Sequence, residues 1–452
     1  MGSFDKSEES ERQPLLTSSG KKVRTSSTTL HVDTIQKTGW LSSSFIIANI
    51  TLGVGLLNFP AAYKDAGGIP QAITIQAICL LFASTAFMFL AYASDVKGDN
   101  TYQDVLHSHA GPVALVVCNL FIFIHNFGSC ITFLVILGDQ IDQITSYGYG
   151  LTFCHYWYMC RTFTLTVISI ILILPFCYPK VISDFKFISM LGIFAVLYIL
   201  GLSIYKYSTN TDPVDLPEYR ADRWLEIFKV MPTICFSFEG HIESVPVYAC
   251  LKKRNLSEFA RAIASSLFMS CTIYTIIGAF GFLTFGESVK SDFLLSYRTD
   301  VPVIIAMAII ALKVITTYPA VFYCARLVID DLVRYSFKLE YEQHERKRRY
   351  IITTVLFMIS LIVAQAVPTI GSVIALLGGT AALFIFVFPG LSFMHANLLN
   401  VSKYGGRIKD LVKTGFGILF VILGFFIAGS TTAQSIIRYK SGEFSERDVI
   451  CS

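Results

Sequence analysis

Residues 231–248 read MPTICFSFEGHIESVPVY, in the middle of an apolar run that extends from 226 to 250. Pro232 and Pro246 flank the stretch, and Glu239, Gly240, His241 and Glu243 fall between them. A carboxylate and an imidazole at membrane depth are costly unless they face a cavity or a partner, so no lipid-facing helix tolerates this segment. A second stretch, residues 49–63, reads NITLGVGLLNFPAAY. It places Gly53 and Gly55 near the middle of another apolar run and Pro60 at its far end, where glycine lowers the cost of unwinding. Close helix packing through small residues explains the glycines taken alone. Two interruptions at equivalent positions, each in the opening helix of a five-span unit, instead predict an inverted-repeat secondary transporter.

The composition agrees. The chain has 452 residues, 54% hydrophobic and only 15% charged, where soluble domains carry roughly 25% charged residues. With a mean hydropathy of +0.59, a soluble multidomain enzyme, a disordered scaffold and a nucleic-acid binder are excluded, because no ordinary core buries that much apolar surface. Eleven apolar runs are long enough to span: 40–62, 69–94, 113–138, 162–179, 187–206, 226–250, 260–284, 302–329, 350–366, 369–397 and 414–437. They are continuous rather than alternating, which argues against a barrel. The expected architecture is thus an all-α polytopic membrane protein. Repeats over 40–206 and 226–397 make up a transporter domain spanning 39–438, and the eleventh helix at 414–437 is an addition.

Lys and Arg set the orientation. Lys97, Lys180, Lys186, Lys252, Lys253, Arg254, Arg334, Arg346, Lys347, Arg348, Arg349 and Lys403 fall on the side of the N-terminus, which predicts a cytosolic N-terminus and a lumenal or extracellular tail at 439–452. His344 and the basic run Arg346–Arg349 read as a solvated loop beside anionic lipid. No signal peptide is expected, since the first 38 residues are polar. That Ser/Thr-rich stretch, 1–38, reads as a disordered cytosolic tail. Within it, Glu11 followed by Leu15 and Leu16 has the form of a dileucine signal for clathrin adaptors. Most of the eleven cysteines lie in apolar runs as packing residues, while Cys154 and Cys160 share one loop and leave a local disulfide open.

Broken helices expose backbone groups, and those groups suggest a ligand. Amides around Gly53, Val54, Gly55 and Leu56 suit a carboxylate. Carbonyls and Ser237 in the second break suit an ammonium or a cation. Together they fit an α-amino acid, lined by Thr51, Phe236, Ser237, Phe238 and Gly240. The lack of a basic cluster favours neutral side chains, while Glu239 and Glu243 keep a cationic substrate open. Thr316 and Thr317, beside Pro319, could join Asn49 as oxygen ligands for a sodium ion, or bond their own helix. Lys313 reads as structural, Arg326 as snorkelling to the cytosol, and His125 and Asn126 as interhelical hydrogen bonds. No catalytic constellation and no metal cluster is apparent, so an enzyme is not expected.

The runs 49–63, Gly138-Asp139-Gln140, 231–248, 281–286 (GFLTFG) and 378–390 (GGTAALFIFVFPG) resemble the amino acid/auxin permease group, and within it solute carrier family 38, the sodium-coupled neutral amino acid transporters. The similarity spans residues 40 to 437. It implies a LeuT-type fold of five plus five inverted helices with an eleventh appended, and sodium binding at Asn49 with Thr316 or Thr317. Glu239-Gly240 departs from that family and looks like the Phe-Glu-Gly of proton-coupled amino acid transporters. Glu239, with His241 as second candidate, could thus take a proton from an acidic compartment. The expected function is export of neutral, glutamine- or asparagine-like amino acids from a lysosomal or late endosomal lumen, coupled to H+, Na+ or both. The plasma membrane is the alternative location, and an amino acid sensor or receptor of the same fold the alternative function.

Overall fold

The computed structural model describes residues 37–150, 155–179, 185–210, 214, 227–338, 344–406 and 408–442. Glu11, Leu15, Leu16 and Cys154 lie outside the described residues, as does most of the C-terminal tail. The described residues are helical, with one isolated bridge among them, pairing Thr38 and Leu251.

Helix α1 (Trp40–Thr51) stops where the glycines begin. Leu52 leaves helical geometry, Gly53 is extended, and the chain continues as a 3-10 turn (Val54–Asn58) into α2 (Phe59–Asp65). Pro60 sits in the first turn of α2, where its missing N–H costs nothing. The two halves meet at 50°. Helix α3 (Ile69–Lys97) is launched by Gly67 and Gly68, with φ of 80° and 132°, and ends at the left-handed Gly98. In α4 (Tyr102–Tyr149) the Thr101 side chain caps the start, and Gly111-Pro112 turns a short first segment into the long one.

Next come α5 (Arg161–Ile168), a π-helical segment (Ser169–Ile173), α6 (Leu174–Cys177) and α7 (Phe185–Thr209). The second break follows. Helix α8 (Ile227–Phe238) stops at Glu239 and Gly240, and α9 (His241–Ala249) resumes. After α10 (Leu256–Phe285), α11 (Val301–Phe337) and α12 (Glu345–Ala366), α13 (Ile370–Ala382) passes through a π-helical segment (Leu383–Val387) into α14 (Phe388–Tyr404). Helix α15 (Ile408–Lys440) closes the order.

Among the described residues eight helices are long and apolar enough to cross a membrane, and the bent pair α1–α2 makes a ninth. Eleven were expected. The two runs that fall short have identifiable reasons: residues 161–177 form a shorter apolar helix, and the run at 226–250 is cut into α8 and α9. The stretch Ile370–Ser402 has 89% of its most apolar part buried, against 22% for Ile408–Lys440. The former is therefore central, and α15 lies at the periphery.

Two charged residues behave differently from expectation. Arg326 does not snorkel. It is 3% exposed and donates to the Cys177 carbonyl at 2.6 Å and the Pro179 carbonyl at 3.0 Å, so it clamps the frayed end of α6. Arg348, read as part of a solvated loop, is buried and forks onto Asp330 at 2.5 and 3.2 Å. Desolvating a guanidinium requires such a partner, and Asp330 on α11 supplies it.

Candidate substrate and ion site

The two breaks meet. Gly55 lies so close to α8 that a Cβ there would overlap Ser237 Oγ and come within 3.4 Å of the Phe236 ring. Gly53 is different: a Cβ there would find only the Ile50 carbonyl, at 4.0 Å. Of the two glycines that mark this break, one is thus required by contact and the other stands beside open space.

Tyr274 of α10 ties the breaks together. Its hydroxyl donates to the Thr51 carbonyl at 2.5 Å and reaches the Ser237 carbonyl at 3.5 Å. Its ring stacks on Phe59 at 4.2 Å and meets Phe238 edge-on at 5.3 Å. Asn58 adds a second tie, donating to Thr233 Oγ1 at 2.8 Å. Ser237 Oγ is buried and finds no hydrogen-bond partner among the described residues. A buried hydroxyl left unmatched beside two broken helices is what a ligand's polar group would complete.

The sequence-derived residues are placed unequally. Gly55, Phe236 and Ser237 line the contact between the breaks, and Val54, next to Gly55, is buried. Thr51 turns away, its hydroxyl on Ser270 Oγ at 2.7 Å and on the carbonyls of its own helix. Phe238 is packed into the Phe59–Tyr274 cluster. Gly240 packs against Thr51 and Ile50, where a Cβ would come within 3.2 Å of Thr51 Cγ2.

Glu239 faces His125 on α4, with Oε2 at 3.6 Å from Nε2, and both side chains are almost fully buried. Its other oxygen accepts the His241 N–H at 3.1 Å, satisfying an orphan donor at the start of α9. The second ring nitrogen of His125 lies 3.2 Å from Thr380 Oγ1, the interhelical bond expected from sequence. Asn126 instead donates to the Ile122 carbonyl of its own helix. His241 stacks on Phe87 at 3.8 Å and places Nε2 3.2 Å from the Ala83 carbonyl, so it faces α3 and not the Glu239–His125 pair.

For the sodium candidates, Asn49 Oδ1 lies beside Gly192 of α7, and the Lys313 side chain lies beside the same glycine. Lys313 is buried and donates to the Leu52 carbonyl at 3.0 Å. Thr316 spends its hydroxyl on the Leu312 and Lys313 carbonyls, the intrahelical alternative, and Thr317 is half-buried one position on. Among the described residues no group of three His, Cys, Asp or Glu side chains is arranged to hold a metal ion. Tyr274 and the Lys313–Leu52 bond escaped the sequence reading: one reads as another aromatic in an apolar helix, the other as a lone buried charge.

The fold aligns with MhsT in its complex with L-phenylalanine over 87% of this chain and 97% of that one, at 14% identity and a TM-score of 0.50. It also aligns with a manganese transporter from Eremococcus coleocola over 93% and 94%, at 11% identity and a TM-score of 0.55. The molecule thus has the fold of LeuT-type membrane transporters. It belongs to the family described as transmembrane amino acid transporter protein, whose model matches residues 36–437. Among its relatives are sodium-coupled neutral amino acid transporter 7 of Danio rerio, 39% identical over 89% of this chain and 88% of that one, and its Homo sapiens counterpart, 37% identical over 88% of each. A putative sodium-coupled neutral amino acid transporter 8 of Xenopus tropicalis is 34% identical over 88% of this chain and 93% of its own length. The chain is accordingly a multi-pass amino acid transporter and not an enzyme.

Proposed function

We propose that the chain is a secondary active transporter that moves neutral amino acids of the glutamine or asparagine kind from an acidic lumen, lysosomal or late endosomal, to the cytosol. The single observation that carries the reading is the contact of the two breaks at Gly55 and Ser237, with Ser237 Oγ buried and unmatched beside it. The substrate carboxylate sits on the amides of residues 53–56, and its ammonium on Ser237 and the carbonyls that end α8. A neutral side chain fits because Phe236 lines this contact and, among the described residues, no basic cluster does. The relatives' names specify neutral substrates and sodium coupling, which supports the substrate class.

Coupling in this reading is to a proton, a sodium ion or both. The proton is carried by Glu239 facing His125, two titratable groups held together at mid-depth. In this reading the chain crosses eleven times, with α5–α6 and the pair α8–α9 each crossing once, as two five-helix repeats over 40–206 and 226–397 followed by an eleventh helix, and the Lys and Arg distribution supports a cytosolic N-terminus. The domain bounds, the lumenal 439–452 tail and adaptor binding through Leu15 and Leu16 belong to the same proposal. Counterflow in proteoliposomes, run across the twenty amino acids, tests it. Saturable exchange of glutamine or asparagine supports the reading. Binding without flux favours the sensor of the same fold, and preference for lysine or arginine favours the cationic alternative.

A further inference from the structure

Three carbonyls at the broken end of α1 have identified partners. Leu52 N–H takes the Ala48 carbonyl and Tyr274 takes the Thr51 carbonyl. The Leu52 carbonyl, last before the break, takes the Lys313 ammonium at 3.0 Å. A helix C-terminus carries partial negative charge, so this is a position that attracts a cation. Lys313, Thr316 and Thr317 lie on one face of α11, one turn apart. Asn49 Oδ1 comes within 2.9 Å, and Lys313 Cε within 3.8 Å, of the point a Cβ at Gly192 would occupy. Of the groups that would assemble a sodium ion, the Leu52 carbonyl and Asn49 are therefore brought to the Lys313 side chain.

We infer that the Lys313 ammonium is the resident cation of the broken first helix, standing where a sodium ion would otherwise be held by Asn49, Thr316, Thr317 and the Leu52 carbonyl. An ammonium brings one positive charge and three N–H donors to this end of α1, and a carbonyl oxygen already accepting it is a poor sodium ligand. A sodium ion at the same carbonyl would sit beside a buried like charge, where the low dielectric magnifies repulsion. Among the described residues no carboxylate pairs with Lys313, so its charge is balanced by the backbone end of α1. Because Lys313 belongs to α11 and its partner to α1, the bond fastens the broken helix to its neighbour without an exchangeable ion. Transport by this chain then needs no sodium at this position, unlike what the relatives' names state of them.

This inference rests on the transport reading but is tested separately from it. In full-length protein reconstituted in liposomes, replacing NaCl with choline chloride should leave neutral amino acid counterflow unchanged. Sodium should not raise the melting temperature of the detergent-solubilised protein. Lys313→Thr removes the ammonium and adds an oxygen. That variant should lose about tenfold or more of its exchange rate in choline, recover in sodium and gain a sodium-dependent rise in melting temperature. Lys313→Arg keeps the charge and should stay indifferent to sodium, which a merely space-filling role for the side chain does not require. Wild-type exchange that collapses in choline, or wild-type protein stabilised by sodium, overturns the inference, as does a folded Lys313→Thr protein that gains nothing from sodium. Should Lys313→Thr not fold, the two wild-type measurements decide. Should the wild type exchange no amino acid in either salt, the transport reading fails while the melting experiment still answers the question of the resident cation.

Discussion

At Glu239 two demands meet on one side chain. One oxygen caps the start of α9 and the other faces His125. The cap gives a carboxylate buried at this break a hydrogen-bond partner. In the proposed cycle a proton enters from the acidic lumen, substrate and proton each favour binding of the other, and both leave to the cytosol. Glu239→Gln keeps a side-chain oxygen for the His241 N–H but cannot change its charge. The variant should bind and exchange substrate, yet lose the acceleration of net flux by a lumen-acid gradient. Flux measured with and without that gradient decides; full gradient-driven accumulation in a well-expressed variant removes Glu239 from the coupling step. Glu239 and Lys313 do not pair with each other: Glu239 faces His125 and Lys313 donates to the Leu52 carbonyl.

Among the elements, the break after α1 tells two glycines apart that look equivalent in sequence. Gly55→Ala would press a methyl group into Ser237 and should cost roughly 1–3 kcal/mol by overpacking, with loss of exchange. Gly53→Ala meets nothing closer than 4.0 Å and has a negative φ, so it should fold with an unchanged melting temperature. Thermal melts of both variants test the distinction, and equal destabilisation would refute it. A second element bears on pH. The short 3-10 helix Phe293–Ser296, between α10 and α11, is started by Asp292, which accepts the Leu294 N–H at 3.0 Å and the Gln140 amide at 2.8 Å. Burial, with Asp139 adding to it, pushes the Asp292 carboxyl from 3.8 up to about 8, against the lowering effect of those two donors. A carboxyl whose folded-state pKa is raised holds its proton more tightly folded than unfolded. Its ionisation therefore costs stability progressively as pH rises from 3.8 towards 8. Asp292→Asn should raise the melting temperature more at about pH 7.5 than at about pH 5. A gain that is equal at the two pH values would argue against the assignment.

For the whole molecule the question is where it resides. The proposed signal of Glu11, Leu15 and Leu16 precedes the first described residue, Lys37. Leu15→Ala combined with Leu16→Ala should move the protein from lysosome-like organelles to the plasma membrane while leaving exchange intact. Imaging together with surface biotinylation checks this, and unchanged organelle location would reject it.

How much of this was legible before any coordinates can be judged residue by residue. Both breaks were, because lipid cannot satisfy an unwound backbone or a buried carboxylate, and Gly53-Val54-Gly55 and Glu239-Gly240 therefore declare themselves in one dimension. The long spans were legible for the same reason: a bilayer imposes a length and an apolar composition that can be counted along the chain. The amino acid ligand followed from the backbone polarity that a break leaves behind. What tertiary structure alone decided is which distant residue completes each break. Tyr274 reaches Thr51 across 223 positions, and Lys313 reaches Leu52 across 261. His125 meets Glu239, Arg326 turns inward to the end of α6, and Gly55 rather than Gly53 touches α8. Such pairings depend on helix rotation and crossing, which are set by packing many weak contacts together and leave no periodic trace in the sequence.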